Sequence, residues 1–250
     1  MRRIDSFKKR LEEKNAIKVI AGIDNYDIER VSKVVTAAQE GGADAVDIAA
    51  SEELITKARE LTSLPIFVSS ISPLELAQAV SFGADAIEIG NFDALYKKGL
   101  RASAKEIYDI VTETLSMINK DEVFVCVTVP GHIDVAEQIE LARKLEDLGI
   151  DLIQTEGAAV ANVSNAGARG LLETAQVSIA NTIELARNVE IPVMTASGIT
   201  STTAPLAFAA GASAIGVGSC VNKLSSTIEM IAAVKTLVAT TNRKAVSELV

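Results

Sequence analysis

The sequence has no tryptophan, a single histidine, two cysteines and only 4% aromatic residues in a chain of 250. So few rings leave few stacking partners for a flavin or a nucleobase. Cys126 and Cys220 sit inside apolar, strand-like runs and not at metal-ligand spacing. That argues against zinc and redox chemistry and for reduced, buried thiols in a reducing compartment such as the cytoplasm. No apolar run approaches the ~20 residues that span a bilayer. The basic opening Met1-Arg-Arg-Ile leads into Leu11-Glu-Glu-Lys, not an apolar core, unlike a secretory signal or an acid-poor transit peptide. A positive excess is missing too: the formal net charge is −9 and no basic cluster with aromatics offsets it, so neither nucleic acid nor a membrane is an expected partner. No Pro, Gly or Ser-rich linker divides the chain, so residues 1–250 read as one domain. A small-molecule ligand is the class that remains, and a homo-oligomer is compatible with all of this.

What is present is alternation. Hydrophobic residues make up 48% of the chain, enough for an extensive core. After an amphipathic stretch over 1–14, eight short apolar runs are each followed by a run with helical spacing. The runs are Ala16–Gly22, Ala45–Ala50, Pro65–Ser70, Ala86–Gly90, Val123–Val129, Asp151–Glu156, Pro192–Gly198 and Ala210–Cys220. Eight strand-helix units in about 250 residues predict an α/β fold of the (β/α)8 TIM-barrel type, with the extra N-terminal helix covering the barrel floor. Internal similarity supports this. Leu64-Pro-Ile-Phe-Val-Ser-Ser70 through Gly83-Ala-Asp-Ala-Ile-Glu-Ile-Gly90 matches Ile191-Pro-Val-Met-Thr-Ala-Ser197 through Gly211-Ala-Ser-Ala-Ile-Gly-Val-Gly218, and related patterns recur at Gly42 and Gly149.

Parallel barrel strands are buried on both faces, so each polar residue inside one needs a reason. Lys18, Asp47, Ser69, Glu88, Thr128, Gln154, Glu156 and Thr195 all lie near strand C-terminal ends, where barrel enzymes carry their chemistry. They are expected to point into the upper barrel around one pocket. Lys18 is the only basic residue inside a strand. Facing Asp47, Glu88 or Glu156, it is either a functional lysine or the centre of a structural ion pair. The three carboxylates could supply a general base or bind a divalent cation, and no spacing rule selects the metal. His132, after the break at Pro130-Gly131, is either a proton shuttle or a solvated loop residue. The short residues ending the last two strands, Ser197, Gly198, Gly218 and Ser219, put bare N–H groups and hydroxyls where barrels bind phosphate. Arg169 could assist, as could Lys97, Lys98 and Arg101, for which a solvated face is the default. The small-residue segment from Gly157 to Gly170 is the natural lid.

Seven segments carry a resemblance: Ile17–Gly22, Val46–Ala50, Ala86–Asp93, Val127–Pro130, Ile153–Gly157, Ala196–Gly198 and Gly216–Asn222. Together they resemble a family of barrels known from plastid genomes as a hypothetical chloroplast reading frame, with cyanobacterial and other prokaryotic relatives. The resemblance implies an aldolase-type barrel, in the cytoplasm or the plastid stroma, and brings no reaction or cofactor. The chain is more weakly similar to flavin-dependent nitronate-oxidising barrels, in which Gly157, Gly198, Gly216 and Gly218 would border FMN and bind its phosphate. Three functions follow as expectations. The first is an enzyme acting on a phosphorylated small molecule by acid-base chemistry of the isomerase or lyase type, with Lys18 and Asp47 or Glu88 as the acid-base groups. The second is an FMN-binding oxidoreductase. The third is a metabolite-sensing barrel without turnover. Strand six carries Gln154 and Glu156 where many Schiff-base aldolases place a lysine, which argues against that chemistry.

Overall fold

Helix starts are set by short polar residues. In the computed structural model, which describes residues 2–96, 99, 101–157 and 165–241 without the side chains of 93 and 94, Asp27, Ser51, Ser72 and Ser103 each accept a hydrogen bond from a backbone N–H in the first turn of the helix that follows. The elements are α1 (Ile4–Glu12), β1 (Ala16–Ile20), α2 (Ile28–Gly41), β2 (Ala45–Ala49), α3 (Glu52–Leu61), β3 (Ile66–Ser70), α4 (Pro73–Ser81), β4 (Ala86–Ile89), α5 (Asp93–Tyr96) and α6 (Ala104–Met117). They continue with β5 (Phe124–Val129), α7 (Val135–Asp147), β6 (Leu152–Thr155), α8 (Gly167–Ala186), β7 (Val193–Thr195), α9 (Ala204–Ala209), β8 (Ala214–Val217), α10 (Ser219–Asn222) and α11 (Thr227–Thr241). The eight strands are parallel and close in chain order, β1 pairing with β8, so the expected (β/α)8 barrel is present.

The repeated Gly-Ala-Asp pattern has a structural cause. Asp44, Asp85 and Asp151 stand just before β2, β4 and β6, and each carboxylate accepts from the N–H at or near the start of the preceding strand, Ile17, Ile66 and Val125 respectively, at 2.8–2.9 Å. Each aspartate's own N–H returns to the carbonyl of that same residue. Ser213, in the fourth copy, makes the backbone half of this pair with Val193.

Inside the barrel, the lowest layer is apolar: Ala16, Ala45, Phe67, Ala86, Phe124, Leu152, Met194 and Ala214 pack with Ile4, Phe7 and Leu11 of α1. Phe7 sits edge-on to Phe67 and Phe124, with centroids 5.1 and 6.1 Å away, so α1 packs against the lowest layer. Outside, Val, Ile, Leu and Ala of the strands and helices form two clusters around the ring. One expectation fails here. Thr195 does not face the barrel interior, because the inward position on β7 belongs to Met194; its hydroxyl instead bonds Thr182 of α8 at 2.7 Å, and Thr155 of β6 bonds Thr182 at 2.9 Å. The helix-facing surface of these strands is partly polar and is satisfied by α8.

Candidate functional site

Lys18 crosses the barrel one layer above the floor. Its register neighbours are small, Ala45 on β2 and Gly216 on β8, which leaves room for the long side chain. Its Nζ donates to Asp47 at 3.0 Å and to Glu88, and lies 5.0 Å from the Phe67 ring below. All three ionisable side chains are 0% exposed. Burial opposes the lysine's charge, but attraction by Glu88 and Asp47 outweighs it and holds the ammonium above its ordinary value. Glu88 is pushed up, chiefly by burial, with Lys18 pulling the other way. Ser69 donates to Asp47 at 2.6 Å and Thr128 to Glu88 at 3.1 Å.

Two amides roof this layer. Asn91 donates to Asp47 at 3.2 Å and to Ser69 at 2.9 Å. Gln154 Nε2 lies 2.7 Å from Glu88, 3.1 Å from Asn91 Oδ1 and 3.0 Å from Thr128 Oγ1. Above them, at the C-terminal ends of the strands, is a cavity of about 190 Å³ bordered by Asn91, Gln154, Glu156, Ser197, Gly198, Gly218 and Ser219. The four residues expected to bind phosphate therefore share one wall. Among the described residues three non-glycines have a left-handed backbone, and two of them, Asn91 (φ 67°) and Ser197 (φ 69°), border this cavity. Such conformations cost about 1–3 kcal/mol and cluster at functional sites. Gly198 follows Ser197 at φ 75°, and a Cβ there would fall 2.7–2.9 Å from Thr174, so no other residue fits. The β8 side is held by Asn222, whose amide donates to the Ile20 carbonyl at 3.1 Å and anchors α10 to β1.

Glu156 is 2% exposed and separate from the lysine pair in its bonding: Oε2 accepts from Tyr96 at 2.6 Å, and the phenol oxygen lies 3.0 Å from His132 Nδ1. With Glu156 ionised, the phenol proton goes to the carboxylate and His132 donates to the phenol, a chain that joins the cavity wall to a half-buried imidazole. Burial lowers the His132 pKa, and Arg101, 5.3 Å above the Tyr96 ring, lowers it further. Tyr96 and Asn91 were not foreseen as site residues. Tyr96 lies on α5, a four-residue helix in a segment expected to be loop, and the only signal for Asn91 was its place in Gly90-Asn-Phe-Asp directly after a strand.

Other expected residues lie elsewhere. Arg169 is exposed in the first turn of α8, which starts at Gly167 inside the expected lid segment, and it does not border the cavity. Residues 158–164 of that segment, with Lys97 and Lys98, lie outside the described residues. Both cysteines are free, and burial pushes Cys126 well up and Cys220 up to about 11, so neither is a ready thiolate. Among the described residues no group of three or more His, Cys, Asp or Glu side chains is placed to hold a metal ion. Among the described residues no aromatic side chain borders the cavity to stack on a flavin ring. A larger cleft of about 490 Å³ opens at the opposite end beside α1, away from the strand ends that carry barrel chemistry.

Residues 2–247 match the family model described as "Protein of unknown function (DUF561)". The chain belongs to this family. A DUF561 relative, "Uncharacterized protein ycf23" of Cyanophora paradoxa, is 42% identical over 230 residues, 92% of each chain. This agrees with the resemblance carried by the seven segments. Among solved structures, a 3-hexulose-6-phosphate synthase superposes with a TM-score of 0.64 at 18% identity, covering 90% of this chain and 99% of its own. The (S)-3-O-geranylgeranylglyceryl phosphate synthase of Thermoplasma acidophilum, solved with its substrate sn-glycerol-1-phosphate, gives 0.61 at 14% identity over 95% and 98%. At such identities the likeness is one of fold alone, the eight-stranded (β/α)8 barrel. No helix among the described residues is long and apolar enough to cross a membrane.

Proposed function

We propose that this protein is an enzyme that binds a phosphorylated small molecule at the C-terminal mouth of the barrel and moves a proton on it, in an isomerase or lyase type of reaction. The observation that carries this reading is the convergence, in one small cavity, of the β7 and β8 loop residues Ser197, Gly198, Gly218 and Ser219 with the buried carboxylate of Glu156. In α10 the N–H groups of Val221 and Asn222 are taken by the Gly218 carbonyl, and those of Ser219 and Cys220 are the donors it offers the phosphate. Two solved barrels of the same fold act on or make phosphorylated compounds, which supports the ligand class by analogy only.

The proton-transfer role passes from Lys18 to Glu156. Lys18 is enclosed between two carboxylates without access to the cavity, whereas Glu156 borders it and is joined through Tyr96 to His132. Glu156 takes a proton from the carbon or hydroxyl next to the phosphorylated carbon and returns it to the neighbouring atom, while Tyr96, donating to Oε2 and itself receiving from His132, orients the carboxylate. Lys18, Asp47 and Glu88 act beneath, fixing the amides of Gln154 and Asn91 that form the floor. The chemistry suits the cytoplasm or plastid stroma, where phosphorylated metabolites and reduced thiols coexist.

The test is solvent deuterium exchange, followed by NMR, on a panel of phosphorylated aldoses, ketoses and polyols. At least one compound should exchange a C–H with the wild-type protein, and Glu156→Gln should slow it by about 10²-fold or more while phosphate binding persists. Phosphoesters that bind without exchange would instead make this a metabolite-sensing barrel.

A further inference from the structure

Among the described residues, the floor of the cavity holds one buried polar side-chain atom with no hydrogen-bond partner. Gln154 is 1% exposed, and its Oε1 is a buried acceptor without a hydrogen bond, although its Nε2 has three oxygens within 3.1 Å. Exchanging the two ends of the amide does not resolve this. Asn91 is fixed with its nitrogen on Asp47 and Ser69, so its Oδ1 faces Gln154, and Glu88 presents a carboxylate oxygen to the same spot. A flipped Gln154 would set its oxygen against both. The nitrogen therefore points down, and the oxygen points to the β8 side of the cavity, where Gly216 has no side chain. A Cβ on Gly216 would come 3.1 Å from Oε1.

A buried acceptor left unpaired is costly, and every native instance calls for an explanation. The cavity's other polar side chains, the Glu156 carboxylate, the Asn91 amide and the hydroxyls of Ser197 and Ser219, leave Oε1 unbonded. We infer that the bound molecule supplies the missing donor: the substrate class is a phosphoester carrying hydroxyl groups, with one hydroxyl donating to Gln154 Oε1, and not an alkyl phosphate or a phosphorylated carboxylate. This rests on the phosphate reading above and deepens it. A ligand hydroxyl can donate to Oε1 and so relieve the cost of leaving it unpaired. A carboxylate or second phosphate would set acceptor against acceptor.

The experiment is calorimetric titration of the full chain with inorganic phosphate, propyl phosphate and glycerol phosphate, repeated on Gly216→Ala and Gln154→Met. Gly216→Ala sets a methyl 3.1 Å from Oε1, with Ala196 and Ile20 at 3.0 and 3.1 Å giving slightly; Gln154→Met removes the acceptor together with the Nε2 contacts. Wild type should bind glycerol phosphate at least about tenfold more tightly than propyl phosphate, since a site built around a hydroxyl leaves its acceptor unpaired with the analogue. Both variants should reduce that ratio below about threefold, with affinity for inorganic phosphate unchanged. Equal binding of the two esters by wild type, or a preference that survives in both variants, overturns the inference while the phosphate site stands. Failure of all three probes to bind overturns the phosphate reading and this inference with it.

Discussion

At Lys18, two buried carboxylates share one ammonium, and removing the cation tests what holds this layer together. Lys18→Met should destabilise the protein by about 3–5 kcal/mol at neutral pH, because it leaves Asp47 and Glu88 buried without their partner. The sign of the pH dependence follows from Glu88, which is raised by burial and drawn down by Lys18. A carboxyl raised in the folded state favours folding below its unfolded value and loses that contribution as pH rises through the folded one. Without Lys18 the raising is larger, so the deficit seen by denaturant titration should widen between about pH 5 and pH 8; an equal deficit at both would contradict the pairing. At His132, proton NMR should find a pKa below 6.5, and Arg101→Gln should raise it, since burial and the guanidinium both disfavour imidazolium; a pKa that does not move would remove Arg101 as a cause. The lysine-carboxylate cluster was legible from residue type and strand position alone. Its depth was not: two-residue alternation tells inward from outward, but not whether an inward side chain touches the cavity or lies beneath it.

At the scale of elements, the aspartates before β2, β4 and β6 explain a sequence repeat by a hydrogen-bond pair that locks each strand start to the strand before it. Asp151→Ala should cost about 1–3 kcal/mol by leaving the Val125 N–H without its acceptor, and Asp151→Asn, which keeps an acceptor, less than half of that. Equal losses in urea-unfolding midpoints would mean that charge, not the bond, matters. Strands and most helices were legible because a parallel barrel writes each unit as an apolar run followed by a helical one. Thr195 was misjudged because a three-residue strand gives alternation little length to register, and because α8 supplies polar partners on a face expected to be apolar. The short α5, and with it Tyr96, had no periodicity to reveal it, since four residues make barely one turn.

For the whole molecule, closure of eight strands in chain order puts the last two loops beside the first strand, and that is why residues from β7 and β8 meet Ile20, Asn91 and Glu156 across one mouth. That the small residues ending β7 and β8 border one cavity was legible from their places at two consecutive strand ends; which of the three strand-end carboxylates also borders it depended on side-chain reach and was not. The most direct test of the central claim is titration of inorganic phosphate into wild type, Gly218→Ala and Gly218→Asp. A Cβ at Gly218 meets nothing closer than 3.6 Å, so Gly218→Ala fits sterically, and Gly218→Asp adds a carboxylate to that methyl at the wall. The account predicts that wild type and Gly218→Ala bind phosphate with similar affinity and that Gly218→Asp loses it by at least about tenfold, because the carboxylate and the phosphate repel in a low-dielectric site. Undiminished binding by Gly218→Asp would contradict the claim that the anion sits between the β7 and β8 loops.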